Sequence, residues 1–450
     1  MPPRAASPLG TAEPTVRVPA RVWSGAIWRF GGRVWSSACT LLALALAARS
    51  LDLAAFGRLT YYLAVFAVLD AVVDSGSAQA LVQRTASASD ALPSALARAR
   101  RLRLAAGALG VVLVGGGAFL LGEPEAPWVA LASLYPATHA LELSTIALRN
   151  DLRWRPQVAV RAVAATAGLA LTAAVTWSGH ASAGTLLVAL ASGSTLGNLL
   201  AHAVGRRSLP PTASGARPEP WGPFLRLALP LGAAAICQQA YFWIDNALLR
   251  ALEGDEAVGP YNVAVRLMGW SLSVAVYASA VALPWLTRAH GDGALLTATH
   301  RLALPLTAAA ALGVGLVTPW SLSLATLFGE AFAPGGPILE VLLLAVIAVH
   351  AGAPLLTAVT ASGHSRAVLG ISASALLLNL ALNAWWIPTE GALGAARATV
   401  ATELWVAAGA VFVLVRITRF APSWRGLATW LSVPAAWAAG RALGGLLASS

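Results

Sequence analysis

The chain is written as a succession of long apolar runs, and this limits the folds open to it more than any other feature. Twelve runs fall at about 24–48, 59–82, 102–121, 126–147, 157–177, 182–204, 222–249, 259–287, 301–327, 337–361, 367–387 and 391–415. About 20 helical residues rise the ~30 Å of a bilayer's hydrocarbon core, so each run is long enough to cross one. A thirteenth, at about 427–447, is interrupted by Pro434 and Arg441, and both a short span and an interfacial helix fit it. With 58% hydrophobic and only 11% charged residues, a soluble chain of 450 residues could not hide its apolar surface. The expected fold class is all-α: a polytopic membrane protein of about twelve transmembrane helices.

The connectors alternate in charge. Those after even-numbered runs hold clusters such as Arg98, Arg100, Arg101 and Arg103, or Arg416, Arg419 and Arg425. Those after odd-numbered runs hold Glu123 and Glu125, then Glu253, Asp255 and Glu256, then Glu330 and Glu390. Arg49, Arg58 and Arg250 break the pattern, each at a helix end. Basic connectors stay in the cytoplasm, which places the N-terminus and the end of run twelve there. The same asymmetry accounts for the net charge of +11, carried entirely by arginine. No basic cluster is interleaved with stacking aromatics, so no nucleic acid is expected. Cys39 and Cys237 lie inside apolar runs and suggest neither a disulfide framework nor a metal site. The Pro/Ala-rich start has no apolar core before a cleavage site and reads as a disordered tail.

Two connectors repeat. Arg49-Ser-Leu-Asp52 precedes Phe56-Gly57 and Tyr61; Arg250-Ala-Leu-Glu253 precedes Val258-Gly259 and Tyr261. Midway lies a Pro-rich segment, RRSLPPTASGARPEPWG. The expected organisation is a cytoplasmic tail (1–21), an N-terminal lobe (22–204), a linker (205–221), a C-terminal lobe (222–415) and a C-terminal segment (416–450). Two pseudo-symmetric six-helix lobes would then flank a central cavity, and repeated halves commonly place a transport site at their interface.

Charges inside spans need partners or a wet cavity. Counting residues from shared connectors puts Asp245 level with Arg266, Arg33 level with Asp74, and Glu142 level with Arg161. Each is a candidate ion pair. Asp70 and Asp74 are i,i+4 and share a helix face. His350 and Glu403 fall near the midplane, where proton coupling and packed hydrogen bonding are both open to them. Asn379 and Asn383 share a face of the eleventh run, suited to sugar hydroxyls or to interhelical hydrogen bonds. Pro230, Pro284, Pro305 and Pro354 interrupt runs of the second half. No Walker loop, metal cluster or nucleophile motif is present, so neither an enzyme nor a cofactor is expected.

Several stretches resemble a known family. TLFGEAFAPGGPILEVLLLAV (326–346) resembles the segment before the tenth helix of polysaccharide flippases. In 361–405, Gly363, Asn379, Leu382, Asn383, Ile387-Pro388, Gly391, Gly394-Ala395-Ala396 and Glu403 match that family's eleventh and twelfth helices. AARSLDLAAFG resembles its first loop, and Asp245 through Gly259-Pro260-Tyr261 to Arg266 its helices seven and eight. The resemblance runs from about residue 22 to 415, loosest in helices three to six. It implies a member of the multidrug/oligosaccharidyl-lipid/polysaccharide exporter superfamily in the bacterial cytoplasmic membrane. The implied substrate is an undecaprenyl-diphosphate-linked oligosaccharide repeat unit, flipped by alternating access beside membrane lipids. A glycan polymerase and glycosyltransferases would be its partners. A cation-coupled drug exporter and a non-transporting scaffold for glycan assembly are the alternatives. A diphosphate calls for arginine forks. Arg29, Arg33, Arg266 and Arg397 are the candidates, with Asp70, Asp74, Asp245, His350 and Glu403 for coupling or pairing.

Overall fold

The computed structural model describes residues 20–78, 80–81, 92–151, 153–209, 221–291, 294–323, 327–418 and 428–449. Among these, all regular structure is helical. The chain runs α1 (Ala20–Ser50), α2 (Leu53–Asp74), α3 (Leu92–Gly110) and α4 (Ala126–Ala132). It continues through α5 (Trp154–Trp177), α6 (Ala183–Gly205), α7 (Trp221–Glu253), α8 (Asp255–Gly291) and α9 (Leu295–Val317). It ends with α10 (Gly335–Ala361), α11 (Ser365–Glu390), α12 (Ala392–Thr418) and α13 (Ser432–Ser449). The 1–19 tail and most of the 205–221 linker lie outside the described residues.

Among the described residues, eleven helices are long and apolar enough to cross a membrane, one fewer than the sequence suggests. The exception is the fourth run. After α4 it breaks into 3₁₀ turns at Pro136–Thr138 and Leu143–Thr145 around His139–Glu142, then a last turn at Ile146–Asn150. Ser133, Thr138, Ser144 and Thr145 each donate to the carbonyl three residues back, at 2.6–3.0 Å. These bonds compete with helical ones and tighten the turns. Backbone polar groups cannot be left bare at membrane depth. Arg103 of α3 therefore donates to the His139 carbonyl (2.9 Å), and Gln157 of α5 to that of Thr145 (3.2 Å). Gly107 lets α3 approach this turn: a Cβ there would press on the Ala137 backbone.

The helix ends follow from local chemistry. Asp52 caps α2, its carboxylate accepting from the Ala55 amide at 2.6 Å. Ser182 and Thr185 form a reciprocal capping box at α6. Pro230, Pro305 and Pro354 sit inside continuous helices; within a membrane neighbouring groups re-satisfy the freed carbonyls.

Packing separates two halves. In the first, α1 lies on α5, and α5 on α6. In the second, α10 lies against α8, α9 and α12, while α11 lies against α7 and α12. Helix α2 joins them, packing along both α7 and α8. The main buried cluster crosses this seam, with Phe56 and Leu59 of α2 beside Leu249, Val258 and Tyr261. The run at 427–447 forms α13, packed on α9 with Gly440 over the Leu312 carbonyl; it is not among the eleven span-grade helices. Large apolar side chains such as Val112, Leu120, Leu377 and Phe412 point outward, as suits a lipid surround.

Candidate functional site

A cavity of about 710 Å³ opens in the first half. Its wall is built by α1, α2, the broken fourth segment, α5 and α6, with Arg266 and Tyr277 reaching in from α8. It extends from Gly32 and Trp154, at the arginine-rich ends of α1 and α5, to Ala43 and Leu63 near mid-depth. Such a volume lies within the range of about 300–1,000 Å³ usual for ligand pockets.

Three arginines line it: Arg33, Arg161 and Arg266. Arg33 and Arg266 have no ion-pair partner among the described residues. The Arg266 Nε is buried without a hydrogen-bond partner, and its guanidinium lies over the Trp243 ring. Arg161 donates to Glu142 at 3.1 Å, and its side chain is 66% exposed. The fourth segment adds a polar chain along the wall. Tyr135 donates to Asp70, and His139 lies 3.3 Å from Asp70 and 3.5 Å from Glu142. Asn198 of α6 donates to Thr138 at 2.8 Å behind them. Apolar Ala43, Leu63, Phe66 and Leu187 complete the lining.

Two expected pairs are not formed. Asp74 takes Arg103 in place of Arg33, because α1 and α2 scarcely touch while α3 lies directly against α2. Asp245 takes Tyr261 and the Asn246 amide in place of Arg266. The third pair, Glu142–Arg161, is present.

Of the sequence candidates, Arg33, Arg266 and Asp70 meet at the cavity. The Arg29 side chain lies outside the described residues. The others are placed elsewhere. Arg397 pairs with Glu390 at 2.6 Å, half-exposed. Asn379 donates to Thr402 on α12, and Asn383 to Asn379, both buried. His350 is buried and bonds the Val346 carbonyl of its own helix. Glu403 is buried against the Tyr241 hydroxyl of α7. Sequence reasoning missed Tyr135, His139 and Gln157. The signal was there in LYPATHALE (134–142) around Pro136: a proline beside Ser, Thr and His inside an apolar run marks backbone that needs side-chain partners.

A family model described as polysaccharide biosynthesis protein matches residues 22–290, more than half of the chain. No curated protein matches it by sequence. Solved structures do match in fold. The lipid II flippase MurJ in an inward closed conformation aligns with TM-score 0.68 and 13% identity, covering 95% of this chain and 98% of that one. An inward-facing multidrug resistance MATE transporter of the MOP superfamily aligns with TM-score 0.70 and 15% identity, covering 85% and 95%. The Vibrio cholerae MATE transporter VcmN aligns with TM-score 0.62 and 15% identity, covering 89% and 97%.

Proposed function

The chain belongs to the polysaccharide biosynthesis protein family, and on that premise we propose that it flips diphosphate-linked oligosaccharide lipids across the bacterial cytoplasmic membrane. The observation that carries this reading is the cationic cavity. A diphosphate leaving water needs compensating charge, and arginine forks match its oxygens in pairs. Arg33 and Arg161 stand toward the arginine-rich, cytoplasmic mouth, and Arg266 deeper. Their order gives a head group two successive stations. Polar Asp70, Tyr135, Gln157 and Asn198 offer partners for sugar hydroxyls. The cavity has room for a head group but not for a long prenyl chain as well, so the chain stays in the bilayer. Transport then needs the two halves to rock about the α2 seam, exposing the cavity to one side at a time.

The test uses purified protein in vesicles containing a fluorescent polyprenyl-diphosphate oligosaccharide, with an impermeant quencher added outside. Protein-dependent loss of the inner-leaflet signal supports the reading. Export of a cationic drug with no lipid movement would establish the exporter in its place, and neither activity would leave a scaffold. In cells, loss of surface glycan with lipid-linked repeats accumulating on the inner leaflet would agree with flipping; altered drug tolerance with intact glycan would oppose it.

A further inference from the structure

The three arginines that break the charge pattern, Arg49, Arg58 and Arg250, all reach from their helix ends into other elements. At the acidic end of the bundle the Arg250 Nη2 donates to Glu123 at 2.7 Å, and its Nε to Asp255 at 2.6 Å. The second Asp255 oxygen accepts from Arg58 at 3.3 Å. Glu123 and Arg58 belong to the first half, Arg250 and Asp255 to the second, so two of the three bonds cross the seam. The Arg250 guanidinium also lies 4.5 Å from the centroid of the Tyr61 ring on α2. Arg49 adds a fourth crossing, donating to the Leu327 carbonyl at 3.2 Å.

Beneath the charges the two repeated connectors interlock. Gly57 faces the Asp255 carbonyl so closely that any Cβ would collide with it, and Gly259 faces Leu53 and Phe56. Phe56 meets Phe332 edge-to-face at 5.0 Å. Leu44, Phe56 and Phe328 are almost fully buried here, and the space between Leu41, Phe56, Val263 and Phe328 holds no water-sized volume. The cavity thus ends in a dry plug capped by an ion network.

We propose that Glu123–Arg250–Asp255–Arg58 is the exit-side latch of the transporter, holding the halves closed on the acidic side while the cavity faces the other. The inference rests on the alternating-access reading. Each half contributes one cation and one anion, so neither carries excess charge when the halves part. Arg250 and Asp255 stay together through opening; only the bonds to Glu123 and Arg58 must break. The four side chains keep between 13% and 22% of their surface exposed, so water reaches them as the halves part and rehydrates them at modest cost. The result is a closure firm enough to bias the state and weak enough to release.

The test measures the opening itself, apart from any substrate. Spin labels go on Leu121→Cys and Leu252→Cys, exposed and on opposite sides of the seam, with Cys39 and Cys237 replaced by Ala. The parent in lipid nanodiscs should give mainly the short distance. Arg250→Gln should enlarge the long-distance population on the order of five-fold, the scale of a partly exposed pair. Glu123→Gln should do the same, and adding it to Arg250→Gln should change little further. Raising salt to about 1 M, where the Debye length falls to ~3 Å, should widen the parent with no substitution at all. Distances unchanged in both the salt series and the variants would overturn the latch. Widening without lipid translocation in the vesicle assay would keep the latch and sink the substrate reading instead.

Discussion

The Arg266 guanidinium lies 5.1 Å from the centroid of the Trp243 ring, across the α7–α8 contact, and takes no share of Asp245. The indole face offers a cation a weak partner, and the charge stays available to the cavity. Asp245 keeps its bonds from Tyr261 and the Asn246 amide whatever residue stands at 266.

Arg266→Ala should therefore leave membrane abundance and thermal stability near the parent's. Lipid translocation should fall by about tenfold or more, the scale of one lost charge-assisted contact. Lys should recover only part, since an ammonium lacks the fork. Adding Asp245→Ala should lower stability and restore nothing. Full recovery of translocation in that double variant would mean the two residues pair during the cycle and that Arg266 does not serve the substrate.

The Glu142–Arg161 pair permits an opposite change. Arg161 is two-thirds exposed in the cavity, so its ion pair adds only about 0–1 kcal/mol to stability. Glu142→Gln should release the guanidinium and remove a negative charge from the wall. The half-saturating concentration of a polyprenyl-diphosphate substrate should fall several-fold, on the order of three- to ten-fold for a modest electrostatic gain. Arg161→Ala should raise it. An unchanged value in both variants would place this pair outside the binding path.

Much of this arrangement was legible in the chain. Hydropathy marks spans because a bilayer demands about 20 apolar residues per helix, and it located eleven of twelve. The fourth run failed because hydropathy weighs side chains, not backbone geometry. Pro136 with its Ser and Thr neighbours turns an equally apolar stretch into short turns held by Arg103 and Gln157. Residue counting gave depth but not direction. Arg33 and Asp74 do lie on helices of matched register, yet α1 leans on α5 and leaves α2 to α3. Counting succeeded for Glu142 and Arg161, which both line the same cavity and so face one another. The repeat in the connectors is visible as Phe56-Gly57 and Val258-Gly259; only the folded chain shows that the two copies pack on each other.

The arginine asymmetry predicts a membrane orientation that is open to direct test. Reporter fusions should find Ser89 and Ala213, both outside the described residues, on the cytoplasmic side. Gly122 and Gly254, in the short turns before α4 and α8, should be external. The fourth segment crosses the membrane in this scheme despite its breaks. Finding Gly122 and Arg153 on the same side would refute that crossing, and finding Gly122 and Ser89 on the same side would refute the alternation that places the cavity mouth in the cytoplasm.

The Asp74–Arg103 pair separates a structural arginine from the cavity arginines. Arg103 is nearly buried, and each part of its fork is used: Nη2 for Asp74, Nε for Ser77 at 2.9 Å, and Nη1 for the His139 carbonyl at 2.9 Å. It thus ties α2 and α3 to the broken segment that carries Tyr135 and His139 into the cavity wall. Arg103→Ala would strand the His139 carbonyl and leave the Asp74 carboxylate, 34% exposed, with water in place of its fork, a loss of about 1–3 kcal/mol for the unsatisfied buried acceptor. Membrane abundance and melting temperature should drop sharply. Arg103→Gln with Asp74→Asn should recover much of that stability, because the unpaired charge is gone and an amide can still reach the His139 carbonyl. Arg33→Ala should show the reverse profile, with stability unchanged and translocation reduced, since Arg33 is exposed and has no ion-pair partner among the described residues. A thermal-shift series on Arg33→Ala, Arg103→Ala and the Arg103→Gln/Asp74→Asn double variant decides between these roles. If Arg33→Ala destabilises the protein as much as Arg103→Ala, its charge holds helices together and is not held ready for a diphosphate.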